Sequence, residues 1–182
     1  MGELTVRIDN KGEKSFKQRI IRLDSNVKPD PEMIKWYEEY NKEVEDLFFT
    51  SLESRKNKHG KQKVFASEQA CVTCHPSKHE LWDLSRHSHA YETLNLVNKA
   101  FDPECLRCHV TGWGQDGGFI SEVDTPKLKN VQCEVCHKPR LDHIKNPQRN
   151  LEVDAKKACK NCHVKNHSPN FNFSKYWKKI KH

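Results

Sequence analysis

Each of the eight cysteines in this 182-residue chain stands in a Cys-x-x-Cys-His unit, of which there are four: Cys71, Cys74 and His75; Cys105, Cys108 and His109; Cys133, Cys136 and His137; Cys159, Cys162 and His163. Two thiols three positions apart can reach the two vinyl groups on one edge of a porphyrin, and the next residue then puts an imidazole under the iron. The spacing therefore reads as covalent haem c attachment with a first axial ligand. Zinc is the rival, because paired Cys-x-x-Cys units also build four-sulfur sites and the gap from Cys136 to Cys159 approaches zinc-ribbon length. Zinc, however, gives no reason for a histidine after every second cysteine. With 11 histidines in 182 positions, four such coincidences have a chance of roughly one in a hundred thousand. Thioredoxin-like chemistry would need a βαβ frame that the sequence lacks. Four haem c groups, each with its iron, are the expected cofactors.

The rest of the composition agrees. Only 35% of the residues are hydrophobic and the mean hydropathy is -0.94, too polar for a self-sufficient core. Four porphyrins would fill that interior and staple the chain as disulfides or metals staple small domains. The formal charge of +7 omits them: each ferric haem with two ionised propionates adds roughly -1 and each ferrous haem about -2, bringing the whole to roughly +3 or -1. Nucleic-acid binding is therefore not expected. The basic runs at 55–63 and 175–181 read as solvated charge able to steer an acidic redox partner.

No stretch is long and apolar enough to span a bilayer, so no integral membrane segment is expected, and Met1-Gly2-Glu3-Leu4 lacks the basic and apolar regions of a secretory signal. Haem attachment to thiols in bacteria and archaea takes place outside the cytoplasmic membrane. The expected location is periplasmic or extracellular, with the signal segment absent from this chain.

The motifs need elements to hold them. Residues 4–9 alternate apolar and polar, 10–13 offer a turn with Gly12, and 16–23 read as a second strand, so the opening is a hairpin. Asp30 is a candidate N-cap before Pro31, and Met33, Tyr37, Tyr40, Val44 and Leu47 recur in steps of four and three, predicting an amphipathic helix over 31–52. Its stripe either packs on the hairpin or the haem region, or pairs with a second copy to give an oligomer. The polar, basic residues 54–63 read as a linker. Short helices over 77–86, 91–99 and 174–180 then alternate with loops. The predicted fold is mainly α: a multihaem cytochrome c fold of short helices and loops around four haems, preceded by a β-hairpin and an amphipathic helix, with domains at 1–62 and 63–182. A globule of about 118 residues has a radius of gyration near 13 to 14 Å, which cannot keep four haems isolated from one another.

Both methionines, Met1 and Met33, precede the first motif, so the irons are expected to be bis-histidine or open, with low potentials. Seven histidines remain as second ligands: His59, His79, His87, His89, His143, His167 and His182. The run from Gly112 to Gly117 matches the dinucleotide fingerprint only formally, since no βαβ frame surrounds it. It reads as a tight glycine turn that brings backbone close to the second haem.

These residues resemble the tetrahaem cytochromes of the cytochrome c-554 family, from about residue 68 to the C-terminus. The resemblance rests on Cys71 to His75 followed by "WDLSRHSHAYETL", on "CLRCHVTGWGQDGGF", on "CEVCHKP" with His143 following, and on "FNFSKYW" with His182. It implies electron transfer between a redox donor, hydroxylamine oxidoreductase in that family, and an acceptor protein. Further, it implies that His143 faces the iron anchored at His75, His87 the iron at His137 and His182 the iron at His163, with the haem at His109 five-coordinate. His89 either ligates that second iron or contacts a propionate. Lys138 and Arg140 stand where the family usually has glycines.

An electron carrier rather than an enzyme is thus expected, the alternative being reduction of nitric oxide or a related nitrogen or oxygen species at the open haem. Residues 1–50 resemble, more weakly, the last strands and following helix of secreted metallophosphoesterases of the nucleotidase type, in "GELTVRIDNKGE", "RIIRLD" and "DPEMIKWYEEY". The metal-binding motifs of that family are absent, so phosphatase activity is not implied.

Overall fold

The computed structural model describes residues 1–139, 141–147 and 153–182; Arg140, one of the two positions singled out above, lies outside the described residues. The described residues form two compact units, Met1–Asn41 and Lys42–His182.

In the first unit β1 (Gly2–Ile8) pairs antiparallel with β2 (Lys14–Ile20), with Val6 opposite Phe16 and Leu4 opposite Gln18. The turn closes because Asp9 Oδ1 accepts from the backbone N–H of both Lys11 and Glu13, each at 2.8 Å, and because Gly12 takes a φ of +80° that costs glycine nothing. Alternation puts Leu4, Val6, Ile8, Phe16 and Ile20 on one face, where all five are exposed. Helix α1 (Pro31–Thr50) starts where predicted: Asp30 Oδ1 accepts from Glu32 N at 2.8 Å and Met33 N at 3.3 Å, with Pro31 as the first helical residue. The predicted stripe is its buried face only at Val44, which packs against the core. Met33, Tyr37, Tyr40 and Leu47 are exposed, and the fully buried residue of α1 is Phe48.

The second unit begins at Lys42, so residues 42–62 belong with the motifs and not with the hairpin. Where a linker was predicted, Leu52–His59 forms helix α2. The reason is aromatic and ionic. The Arg55 guanidinium carbon lies 4.2 Å from the Phe48 ring centroid and 4.7 Å from that of Trp113. Burial pulls that guanidinium below its ordinary pKa, against the opposing pull of Asp124. Lys56 Nζ pairs with Asp124 at 2.9 Å, and His59 Nδ1 stands 2.9 Å from Asp116 Oδ1. Part of this basic run therefore fastens α2 to the chain between Trp113 and Asp124.

Short helices follow: α3 (Gln69–Val72), α4 (Pro76–Asp83), α5 (Ala90–Asn95), α6 (Pro103–His109), α7 (Cys133–His137), α8 (Leu141–Lys145), α9 (Ala155–Lys160) and α10 (Phe173–Trp177). The apolar core gathers Phe48, Phe65, Tyr91, Leu94, Phe101, Leu106, Val110, Phe119 and Leu128. It is built around the second motif, since Leu106, fully buried, lies between Cys105 and Cys108. Burial and the nearby Glu122 push the Tyr91 phenol up to about 12, keeping it protonated.

The glycine turn after this motif is as tight as predicted, with φ of +73° at Gly112 and +69° at Gly117. What it lets close in, however, is protein. A Cβ at Gly112 would meet the Phe65 ring, at Gly117 the backbone of Gln62 and Val64, and at Gly118 the Gly112 carbonyl. Among the described residues no helix is long and apolar enough to cross a membrane.

Candidate functional site

Each motif is seated on or beside a helical turn, which stacks its first cysteine and its histidine four residues apart on one face. In the first motif His75 N donates to Cys71 O at 2.9 Å, and in the fourth His163 N donates to Cys159 O at 2.9 Å. Caps fix where two of these turns begin: Asp102 Oδ1 accepts from Glu104 N at 3.0 Å ahead of the second motif, and Asp154 Oδ1 from Lys157 N at 3.0 Å ahead of the fourth. No disulfide joins any of the eight cysteines. Among the described residues no group of three or more His, Cys, Asp and Glu side chains converges into a metal site, so the thiols do not assemble the four-sulfur cluster zinc would need.

Imidazole rings stand in pairs instead. His75 and His143 have centroids 6.2 Å apart and planes within 16°, His87 and His163 are 6.3 Å apart, and His137 and His182 are 5.7 Å apart. Two imidazoles bound on opposite sides of one metal at metal–nitrogen distances of about 2.0 Å put their centroids roughly 6 Å apart. The spacing fits an iron held between each pair. His143 Nδ1 adds a second sign, being buried with no hydrogen-bond partner, which costs free energy unless something binds there. Burial lowers the pKa of His87, with His163 adding to the effect, and burial lowers that of His163. Both are held toward the neutral form that ligates metal.

The pairing differs from the one the resemblance implied in two of three cases. His143 lies against His75 as expected, whereas His87 lies against His163 and His182 against His137. A hydrogen bond from Val131 N to His87 O, 3.1 Å, ties His87 to the segment leading into the third motif, yet its ring meets the fourth. Among the described residues no second histidine ring stands against His109. His89 is 58% exposed in its side chain, with Nδ1 3.3 Å from Glu92 Oε2. His59 and His79 are engaged by Asp116 and Glu68, at 2.9 and 2.6 Å.

Other residues that seat the motifs carry no signal in the sequence. His109 Nδ1 stands 2.7 Å from Ala90 O and 3.2 Å from Thr93 Oγ1, and His163 Nδ1 stands 3.1 Å from Ser168 Oγ. Such contacts fix ring orientation and ligand basicity. The buried Glu134 carboxylate accepts from Ala66 N at 2.8 Å and Ser67 N at 3.1 Å, and Gln132 Oε1 accepts from Glu68 N at 2.8 Å, clamping the approach to the first motif onto the third. Trp82 Nε1 donates to Val131 O at 2.7 Å across the same seam.

Thiols of different motifs come within electrostatic reach of one another as a result. The Cys71 and Cys133 thiols perturb one another, raising the pKa of the first and lowering that of the second. Burial and the neighbouring Cys108 push Cys162 up to about 12, and Cys136 lies near Cys159. Lys138 takes φ +61° and ψ 165°, a region that favours glycine and costs another residue about 1 to 3 kcal/mol.

The family model described as cytochrome c554 and c-prime matches residues 70–138. A cytochrome c-554 of Nitrosomonas europaea is 35% identical over 113 aligned residues, covering 52% of this chain and 48% of that protein. The chain thus spans about half the length of the curated relative it matches. No solved structure matches it.

Proposed function

We propose that this chain, similar over residues 70–138 to the cytochrome c554 family model, is a member of the cytochrome c-554 family and carries single electrons between two redox proteins through four haem c groups outside the cytoplasm. Haem-based electron transfer and covalently bound haem c come with the family. The count, the ligand pairs and the location belong to this proposal. It is carried by one observation, the three imidazole pairs 5.7 to 6.3 Å apart. His75, His109, His137 and His163 are the proximal ligands, with His143, His182 and His87 as second ligands for the first, third and fourth motifs.

Haem c supplies one-electron redox chemistry when bound. The chain keeps His87 and His163 neutral by burial, orients His109 through Ala90 O and Thr93, and sets the spacing of motifs through Glu134 and Gln132. The electrostatic influence of first-motif on third-motif, third-motif on fourth-motif and fourth-motif on second-motif thiols supports a spatial order different from the order along the chain. Intact-mass measurement of the mature protein should exceed the polypeptide mass by about 2.5 kDa. Any smaller gain overturns the count of four.

A second reading concerns the haem at His109, supported by the absence of a second ring there among the described residues. A haem held there by Cys105, Cys108 and His109 would offer an open position to nitric oxide or a related small species and could pass it an electron received from a donor protein, so nitric oxide should shift the optical spectrum of the reduced protein. An unaltered spectrum removes this reading and leaves an electron carrier alone.

A further inference from the structure

From residue 153 to 182 the chain holds eight lysines against one acidic residue, Asp154, a formal +7 that equals the formal charge of the entire chain. The surplus therefore lies wholly around the fourth motif. All eight lysines are exposed, Asp154 is occupied in capping α9, and among the described residues no ion pair engages any of the eight. Lys156, Lys157 and Lys160 lie on α9 with Cys159, and Lys165 follows His163 by two residues. The other four come after Phe173, where the Tyr176 ring returns to the fourth motif, edge-on to His163 at 5.7 Å. Two propionates on one haem neutralise at most two of these charges.

We infer that this lysine face is the docking surface for an acidic redox protein, which exchanges electrons with the haem anchored by Cys159 and Cys162. The inference rests on the electron-transfer reading above and names the face it uses. A ring of like charge around one redox centre steers an oppositely charged partner to that centre and raises its association rate, and salt weakens the effect. An acidic protein fits better than an anionic bilayer, because Phe173 and Trp177 stack on each other at 5.9 Å and are half-buried, leaving little aromatic surface to enter lipid.

The test uses an acidic plant-type [2Fe–2S] ferredoxin as donor. Each reduced cluster gives up one electron and one ferric haem iron takes it up, followed by stopped-flow absorbance on the holoprotein. Two variants lower the formal charge equally: Lys156, Lys157, Lys160 and Lys165 all changed to Glu, or Lys11, Lys14, Lys17 and Lys28 all changed to Glu. All eight positions are exposed, so both variants should mature and fold. The first should slow low-salt reduction by about tenfold or more and flatten its salt dependence, while the second changes the rate less than about twofold.

Equal slowing in both would mean that net charge alone steers, and unchanged rates in both would mean that no such face exists; either result overturns the inference. So would lysine-dependent binding to phosphatidylglycerol vesicles with unchanged ferredoxin kinetics, which assigns the face to a membrane. Lysine-dependent self-association in sedimentation velocity, again with unchanged kinetics, would assign it to a second copy. Failure of the underlying reading is seen separately, as no haem absorbance change when dithionite reduces the unaltered protein, before any ferredoxin is added.

Discussion

Replacing Gly118 by Ala should destabilise the Lys42–His182 unit by about 3 kcal/mol or more, the largest effect expected of any single methyl group in this chain. The clash is steric and does not depend on φ, which at Gly118 lies outside the left-handed region. A Cβ there would meet the Gly112 carbonyl oxygen and stand 2.5 Å from its carbon and 2.9 Å from its Cα, inside the 3.0 Å that real Cβ atoms essentially never cross.

The neighbour is backbone, so no rotamer change relieves the clash. The Gly112 carbonyl also accepts from Gln115 N at 3.0 Å, and the residues just beyond, Thr111 and Phe119, are fully buried and joined by a hydrogen bond from Phe119 N to Thr111 O, 3.0 Å. Opening the turn therefore pulls on the core beside the second motif. Gly114→Ala is the control, because nothing lies within 4 Å of its Cβ and only its φ of +71° is strained, for a cost of about 1 kcal/mol. Denaturant midpoints of the two holoproteins, followed by near-ultraviolet circular dichroism, check the order. Equal shifts would mean that the close approach of Gly118 to Gly112 does not exist.

The same turn shows where sequence reasoning stops. Its glycines announce a tight bend whatever surrounds it, because positive φ is a local property. Which chain fills the space beneath depends on residues about fifty positions earlier, Gln62, Val64 and Phe65. Helix α2 is a sharper case. Charge density over 54–63 reads as solvated linker, and only the fold brings Trp113, beside Phe48, to Arg55, and Asp124 to Lys56. The motifs, the Asp30 cap and the hairpin were legible because each is encoded within a few residues. For α1, steps of three and four picked out Met33, Tyr37, Tyr40, Val44 and Leu47, of which Val44 packs against the core, while full burial fell on Phe48, one position beyond that stripe. Amphipathic spacing ranks faces by polarity and does not name the neighbour that covers one.

Pairing of distal histidines is the least local property of all, and it yields the second large effect. His182→Ala should convert the haem of the third motif, and not the fourth, from low-spin to high-spin ferric, and His87→Ala should do the same for the fourth. The two alternatives differ in geometry. Each ring sits 5.7 to 6.3 Å from the proximal histidine assigned to it here, the separation of roughly 6 Å set by one metal between two imidazoles. The family resemblance assigns them the other way round.

Electron paramagnetic resonance counts the high-spin haems, and a second deletion locates them. In protein whose fourth haem is removed by Cys159→Ala with Cys162→Ala, His87→Ala should add no further high-spin signal, because the iron it served is gone, while His182→Ala should still add one. The reverse outcome would restore the assignment implied by the resemblance, and a signal from both variants would mean that neither ring serves the fourth iron. Should the double cysteine variant fail to mature, His87→Met and His182→Met in the intact chain check that each ring is an axial ligand of a separate iron, a point common to both assignments. A His/Met iron has a raised potential, by on the order of 100 mV or more, so each variant should move one wave of a redox titration and leave the others in place. The two waves moved should be different ones, since His87 and His182 stand against different proximal rings.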